Sequence, residues 1–323
     1  MVVSFKNVFK TKFQAFGMDN VEDMSFDGKT TVNELARKFF KSGGFTSKKL
    51  AVGVDILETM AKEKSCVKFL SFTADICATG TRGAIIHLVK NRLVDVIITT
   101  CGTLDHDISR SAGPYFHGDF GLDDAELHKK GFHRLGNILI KQEKHGPAIE
   151  DFVRPILNEL FKSGIKSIST KDLCAKLGEH LKEDTVLYWA WKNKIPVFIP
   201  GITDGAVGSQ LWQFSQNHDF KVDVLADEKE IAKIIFEAKK AGALMLGGGI
   251  SKHHVIWWNQ FRDGLDYAVQ ISTAPEWDGS LSGAQTREAI SWGKLKEKAK
   301  HVTIEGDVTV LFPLMVAALG ERL

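Results

Sequence analysis

Apolar residues fall along this chain in short unbroken runs, each stopped by a stretch rich in glycine, aspartate, serine or threonine. The runs are Val67–Phe72, Val94–Thr100, Ile195–Pro200, Ala243–Gly249, Asp266–Thr273 and His301–Asp307. A strand with one wet face alternates apolar and polar residues, whereas a continuous apolar run predicts a strand covered on both faces, as in a parallel sheet. Phe220–Leu225 predicts a further strand at an edge. Between the runs, apolar residues recur at helical spacing over Ser47–Lys64, Thr81–Leu93, Ala148–Gly164, Thr170–Leu181 and Lys229–Gly242, with Gly242 placed as a helix terminator. Arg287–Lys298 reads as an amphipathic helix with Ala289, Ile290, Trp292 and Leu295 on its apolar side. Gly293 interrupts it, at a cost of about 1 kcal/mol relative to alanine.

Strands alternating with helices predict an α/β fold: a doubly wound, Rossmann-like parallel sheet with helices on both faces. No linker or internal repeat divides the chain, so residues 42–323 are expected to form a single domain preceded by an extension and helix over residues 1–41. Ligands of such folds bind at the carboxyl ends of the strands. The segments that matter are therefore Thr73–Gly83, Thr99–Asp107, Gly201–Gln210, Gly247–His254, Ser272–Gly283 and Gly306–Val310. Turns alone explain their glycine and aspartate; the histidines and repeated hydroxyl residues point to a cleft.

Composition narrows the function. The 323 residues are 44% hydrophobic, enough for a sizeable core, and 42 Lys+Arg against 40 Asp+Glu leave a net charge of +2. That near balance favours neither nucleic acid nor an anionic membrane as partner. No apolar run reaches transmembrane length and the start lacks a secretory pattern, so a cytoplasmic protein is expected. Cys66, Cys77, Cys101 and Cys174 form no CxxC and no zinc-spaced cluster, so they read as free buried thiols and no metal is expected.

Several residues carry candidate chemistry. Gly247-Gly248-Gly249 would let backbone N–H groups approach a pyrophosphate at a helix start. Asp204, Asp278 and Asp307 each follow an apolar run, where an aspartate accepts ribose hydroxyls or caps a helix. His253 and His254 are about 100° apart on a helix, so at most one faces the cleft. Glu288 and Trp292 share a face. Lys294 is either one of a solvated trio with Lys296 and Lys298 or a lysine set apart by the glycine beside it.

Taken together, Met245–His254 (MLGGGISKHH), Asp263–Ala284 (DGLDYAVQISTAPEWDGSLSGA), Glu288–Lys294 (EAISWGK) and Val308–Leu314 (VTVLFPL) resemble the carboxyl-terminal half of deoxyhypusine synthases, in order. Ile202–Gly208 and Val94–Asp107 resemble their middle, and the likeness runs from about Ser42 onward. The resemblance implies an NAD-dependent aminobutyl transferase. A hydride passes from spermidine to NAD, the four-carbon unit passes to an enzyme lysine, and from there to one lysine of a translation factor precursor. Lys294 falls on the imine-forming lysine, whose amine must be uncharged to react; Trp292 would wall the adduct and Gly293 give it room, with Lys296 and Lys298 solvated. The resemblance places NAD against Ala74, Asp75, Ala78, Thr100, Cys101, Gly102, Asp204, Gly248, Thr273, Ala274, Asp278, Ser282, Asp307 and Val308. It places the polyamine against Asp105, His106, His253, Gly279, Ser280, Glu288 and Trp292. It also implies a homotetramer with sites shared between subunits.

The chain departs from eukaryotic members, which carry acids at the positions of His106, Ser209 and Leu281 and an asparagine at Trp257; it resembles the archaeal branch instead. Carboxylates hold polycations, so Asp105 and Asp107, beside His106, are expected to compensate. A homospermidine-synthase-like transfer to a small amine is the alternative; a plain NAD-dependent dehydrogenase fits less well, because hydride transfer alone needs no imine-forming lysine.

Overall fold

The computed structural model describes residues 19–323. Six strands form one sheet: β1 (Cys66–Phe72), β2 (Val96–Ile98), β3 (Val197–Phe198), β4 (Lys240–Leu246), β5 (Leu265–Ser272) and β6 (Leu295–Glu305). Every neighbouring pair is parallel, and the order across the sheet is β3-β2-β1-β4-β5-β6. Chain order reverses between β1 and β4, as it does at the ligand crevice of dinucleotide-binding sheets. The doubly wound fold read from the sequence is the fold observed, and each of the six apolar runs supplies one strand.

The runs are continuous because alternate residues bury against different helices. Leu70, Phe72, Leu244, Leu246, Val269 and Ile271 join a core that includes residues of the helices Phe45–Lys62, Arg82–Lys90 and Val308–Gly320. Phe69, Ala243, Met245 and Ala268 face the other way, in a cluster with Ile231 and Ile235 of Val224–Glu237 and Val255 and Ile256 of Gly249–Asn259.

Two local expectations fail. Lys221–Val222 pairs in parallel with Ser167–Ile168 in a separate two-stranded sheet, not at the edge of the main one. Gly242 lies inside β4, not at a helix end, where a Cβ would press on Met60 at 2.9 Å; the gap lets the helix Phe45–Lys62 lie close to the strand. The helix preceding β4 ends at Glu237. In the expected amino-terminal extension, residues 1–18 lie outside the described part. The helix Val32–Ser42 is tied down by the other terminus: the Glu321 carboxylate accepts from Val32 N at 3.1 Å and Asn33 N at 3.2 Å, and Arg322 Nε donates to Asn33 Oδ1 at 2.6 Å.

Between β2 and β3 the chain makes a long excursion through the helices Cys101–Ala112, Gly146–Lys162, Thr170–Glu179 and Val186–Asn193 and a three-stranded antiparallel sheet. Among the described residues no helix is long and apolar enough to cross a membrane.

Candidate active site

Because all six strands run in parallel, their carboxyl ends share one edge. Ala74, Asp75 and Ala78 follow β1; Thr100, Cys101 and Gly102 follow β2; Asp204 follows β3; Gly248 follows β4; Thr273 and Ala274 follow β5; Asp307 and Val308 follow β6. The crevice between β1 and β4 is walled by Gly248, where an added Cβ would lie 2.3 Å from Ser282 Oγ, and opens onto the start of the eleven-residue helix Gly249–Asn259. Free N–H groups at such a helix start suit a phosphate. Two of the aspartates have local tasks. Asp307 caps the last helix by accepting from Thr309 N at 2.8 Å, and Asp278 accepts from Ser280 N at 2.7 Å across the turn at Gly279. The hydroxyl and N–H of Ser280 hold the Asp278 carboxyl below its usual value. Cys101 and Ala78 are buried; burial pushes the Cys101 thiol up to about 12, so it packs rather than reacts. All four cysteines are buried and free, and no group of metal-ligating side chains forms among the described residues.

Both acids flanking His106 have structural partners. Asp105 accepts from Ala206 N and Val207 N, both at 2.8 Å, and so caps the helix Ala206–Ser215 from outside. Asp107 accepts from Val186 N at 3.1 Å and Leu187 N at 2.9 Å at the start of Val186–Asn193, and pairs with Arg82 at 3.0 Å. His106 itself is buried, with Nδ1 3.0 Å from the Tyr115 hydroxyl, and burial pushes its pKa down to about 4. An unfolded histidine titrates near 6.5, so between those values the unfolded chain binds a proton that the folded chain refuses, and stability is lost as pH falls through that window. From pH 6.5 to pH 5, His106 is expected to cost roughly 1–2 kcal/mol. Urea unfolding at the two pH values should show a shallower loss in His106→Gln than in the wild type.

Lys294 lies at the other end of the sheet. It immediately precedes β6, its carbonyl accepts from Leu265 N at the start of β5, and the residue is only 7% exposed. It closes a slot of about 320 Å³. The connection from β5 to β6 supplies Leu281, Ala284, Gln285, Thr286, Glu288 and Trp292. The helix Gly249–Asn259 supplies Lys252, His253, Ile256 and Trp257, and Met245 and Ala268 form the floor. That volume suits a small ligand. Lys294 Nζ sits 5.0 Å from the ring centre of Trp292 and 5.6 Å from that of Trp257. His253 stacks on Trp257 at 5.6 Å and is kept below its usual pKa by burial and then by the charge of Lys294. His254 turns away toward Glu228, so one histidine of the pair faces the site. Among the described residues Glu288 is the single carboxylate of the lining, which also includes apolar Leu281.

The helix expected over Arg287–Lys298 is only Glu288–Ser291. Gly293 ends it: its φ of +66° lies in the left-handed region, Gly293 N donates to Ile290 O and Lys294 N to Ala289 O, each at 3.0 Å. These are the two bonds of a Schellman motif, and they aim the chain into β6 with Lys294 at its head. A Cβ at Gly293 would meet no protein atom within 4 Å, so it is the left-handed φ, and not protein packing, that calls for glycine. Gly293→Ala should therefore lower unfolding stability by about 1–2 kcal/mol through backbone strain alone, with Gly293→Asn milder; parallel denaturant titrations compare the two. Lys296 is not free either: it pairs with Asp266 at 2.7 Å.

The slot thus brings together His253, Glu288, Trp292 and Lys294. Gly279 and Ser280 lie just outside the lining, on the same connection, while Asp105 and His106 lie on a different helix and do not line it. Lys252 and Trp257 belong to the lining, yet no local pattern singles out Lys252: a lysine two residues before His254 looks like solvent decoration.

A doubly wound parallel sheet with a glycine-walled crevice and a slot lined by two buried lysines, Lys252 and Lys294, defines an α/β protein of the doubly wound class. The sequence profile of deoxyhypusine synthase matches residues 34–319. The chain is 54% identical to a probable deoxyhypusine synthase of Picrophilus torridus, over 92% of this chain and 96% of that one, and 46% identical to one of Ignicoccus hospitalis, over 94% and 96%. The crystal structure of a putative deoxyhypusine synthase from Entamoeba histolytica matches the fold with a TM-score of 0.63 at 22% identity, over 92% of this chain and 96% of that one. The chain belongs to the deoxyhypusine synthase family and is an aminobutyl-transferring enzyme.

Proposed function

We propose that the protein moves the aminobutyl group of spermidine, by way of Lys294, onto a lysine of the translation factor precursor, with NAD as the hydride carrier. The observation that carries the reading is the placement of Lys294, a buried amine within reach of two indole faces at the end of a slot sized for a small ligand. The slot reaches Met245 and Ala284, close in sequence to Gly248 and Ser282, where an added Cβ shows the two loops in contact. It therefore leads from the lysine toward the cofactor crevice.

The residues divide the work. Glu288 offers the slot's one negative charge to the donor, and the indoles of Trp257 and Trp292 offer cation–π faces, each worth about 0.5–2 kcal/mol. Burial leaves His253 a neutral hydrogen-bonding group beside them. Lys294 Nζ, as the free amine, attacks the imine carbon of the oxidised donor; the bond from that carbon to the propylamine nitrogen breaks, and diaminopropane leaves with a proton. The acceptor lysine repeats the exchange at the same carbon and restores Lys294. NAD, when bound, accepts the donor's hydride and returns it to the final imine. The glycine-walled crevice and the open helix start fit its pyrophosphate, and Asp204 is exposed on the β3 exit. Asp204→Ala should weaken NAD binding in equilibrium dialysis with fold and Lys294 slot intact; unchanged affinity would remove Asp204 from the cofactor site. Four chains are expected to assemble with shared sites, which light scattering tests.

The whole reading is tested by incubation with labelled spermidine and NAD, with and without the translation factor precursor, followed by borohydride. Label on the factor supports it. Label confined to small amines would turn the assignment to a homospermidine-type transfer, and accumulation of NADH with no label transfer to a plain dehydrogenase.

A further inference from the structure

The roof of the slot is held from below by a buried charge that the reaction does not use. Lys252 is 3% exposed, and its Nζ donates to Leu281 O at 2.7 Å and Ala284 O at 2.6 Å. Between those carbonyls, Ser282 O accepts from Gln270 Nε2 at 3.0 Å; Gln270 is fully buried on β5, and its own oxygen has no partner. Gly283 completes the segment, lying so close to Pro275 O that a Cβ would be 2.1 Å away. Three of four consecutive roof carbonyls are therefore captured by side chains from two elements beneath. Leu281 at one end of the segment lines the slot, and Ser282 lies against Gly248 at the cofactor crevice.

A lysine is a costly choice for this task. It sits in the first turn of the helix Gly249–Asn259, where the helix dipole opposes positive charge, and burial pushes its pKa down to about 8. A leucine or methionine would avoid both costs but would leave two buried carbonyls without a donor. The compensating gain is local: both bonds go to the roof, and none to the helix or sheet.

We propose that Lys252, assisted by Gln270, is a positioning residue that latches the Leu281–Ala284 roof onto the sheet, so that the donor slot and the cofactor ledge are formed together before either ligand binds. Lys252 touches no reacting atom in this scheme; it acts through Leu281 and Ser282. The proposal deepens the transferase reading and rests on it only for its kinetic arm.

The test uses the full-length protein with Lys252→Met, Lys252→Arg and Gln270→Leu. In the ligand-free protein, amide exchange over residues 280–286 should rise at least tenfold in Lys252→Met, with the rest of the sheet unchanged, and to a smaller extent in Gln270→Leu. With spermidine as the donor, KM should rise about tenfold in Lys252→Met while kcat changes less, because the preformed slot is lost rather than the nucleophile. Lys252→Arg, which keeps two donors, should recover part of both. Unchanged exchange over 280–286 in folded Lys252→Met overturns the latch, as does an exchange increase spread through the whole sheet. A confined exchange increase with unchanged donor KM overturns its role in positioning. If the wild type itself transferred nothing from spermidine, the transferase reading would fall while the exchange result would still decide the latch.

Discussion

Lys294→Ala is expected to abolish transfer to any acceptor, protein or small amine, with a fall on the order of 10³-fold or more in turnover, as befits the loss of a nucleophile. The borohydride-trapped adduct should vanish with it. NAD should still bind, because the strand exits that form the crevice lie at the opposite edge of the sheet from Lys294. Hydride removal from the donor needs the donor and cofactor but no lysine, so some donor oxidation should survive. Lys294→Arg should do no better than alanine, since a guanidinium stays protonated and cannot attack. The control is Lys298→Ala, an exposed position on β6; Lys296→Ala is a poorer control because it also breaks the pair with Asp266. An adduct that persists in Lys294→Ala would mean that transfer runs through another amine, and Lys252 is the second one in the slot. A peptide map of the reduced, labelled protein distinguishes the two lysines directly.

How much of this was legible beforehand depended on whether the signal was local. The six strands were readable because burial on both faces leaves an unbroken apolar run, and the parallel arrangement then forced the exits onto one edge. Lys221–Val222 misled because a short apolar stretch specifies a strand without specifying its partner; Ile168 and Lys166, some fifty residues earlier, supply that partner. The helix over Arg287–Lys298 misled because amphipathic spacing continued through Gly293, while a single left-handed residue was enough to end it. Lys294 was visible through the motif around it. Lys252 was not, because nothing local marks a lysine whose two acceptors lie about thirty residues further along. The same blindness applied to Asp105 and Asp107: two acids around a histidine resemble a cation site, and only the fold shows helix starts waiting at each one.

Those acids give the largest effect on stability. Asp107 is fully buried, neutralises Arg82 and accepts two backbone N–H groups at the start of Val186–Asn193. Burial raises its carboxyl pKa, and the Arg82 charge and the two N–H groups oppose that rise only in part. Asp107→Ala would leave the Arg82 guanidinium buried without its partner, together with two uncapped N–H groups, and is expected to cost about 3–5 kcal/mol, a large share of the 5–15 kcal/mol that holds a typical domain together. Double replacement with Arg82→Met should recover part of that loss, because it removes the unpaired charge and leaves the missing cap. Asp105→Ala should cost less, about 1–2 kcal/mol, the usual range for a lost helix cap. Chemical denaturation of the three variants, read beside donor KM on the folded fraction, separates the two roles an acid here can have. A cap lowers the unfolding midpoint and leaves KM alone; an amine ligand raises KM and leaves the midpoint alone. The paired 2.8 Å bonds from Ala206 and Val207 to Asp105 favour the first result, and a tenfold rise in KM for Asp105→Ala at wild-type stability would instead restore it to the donor site.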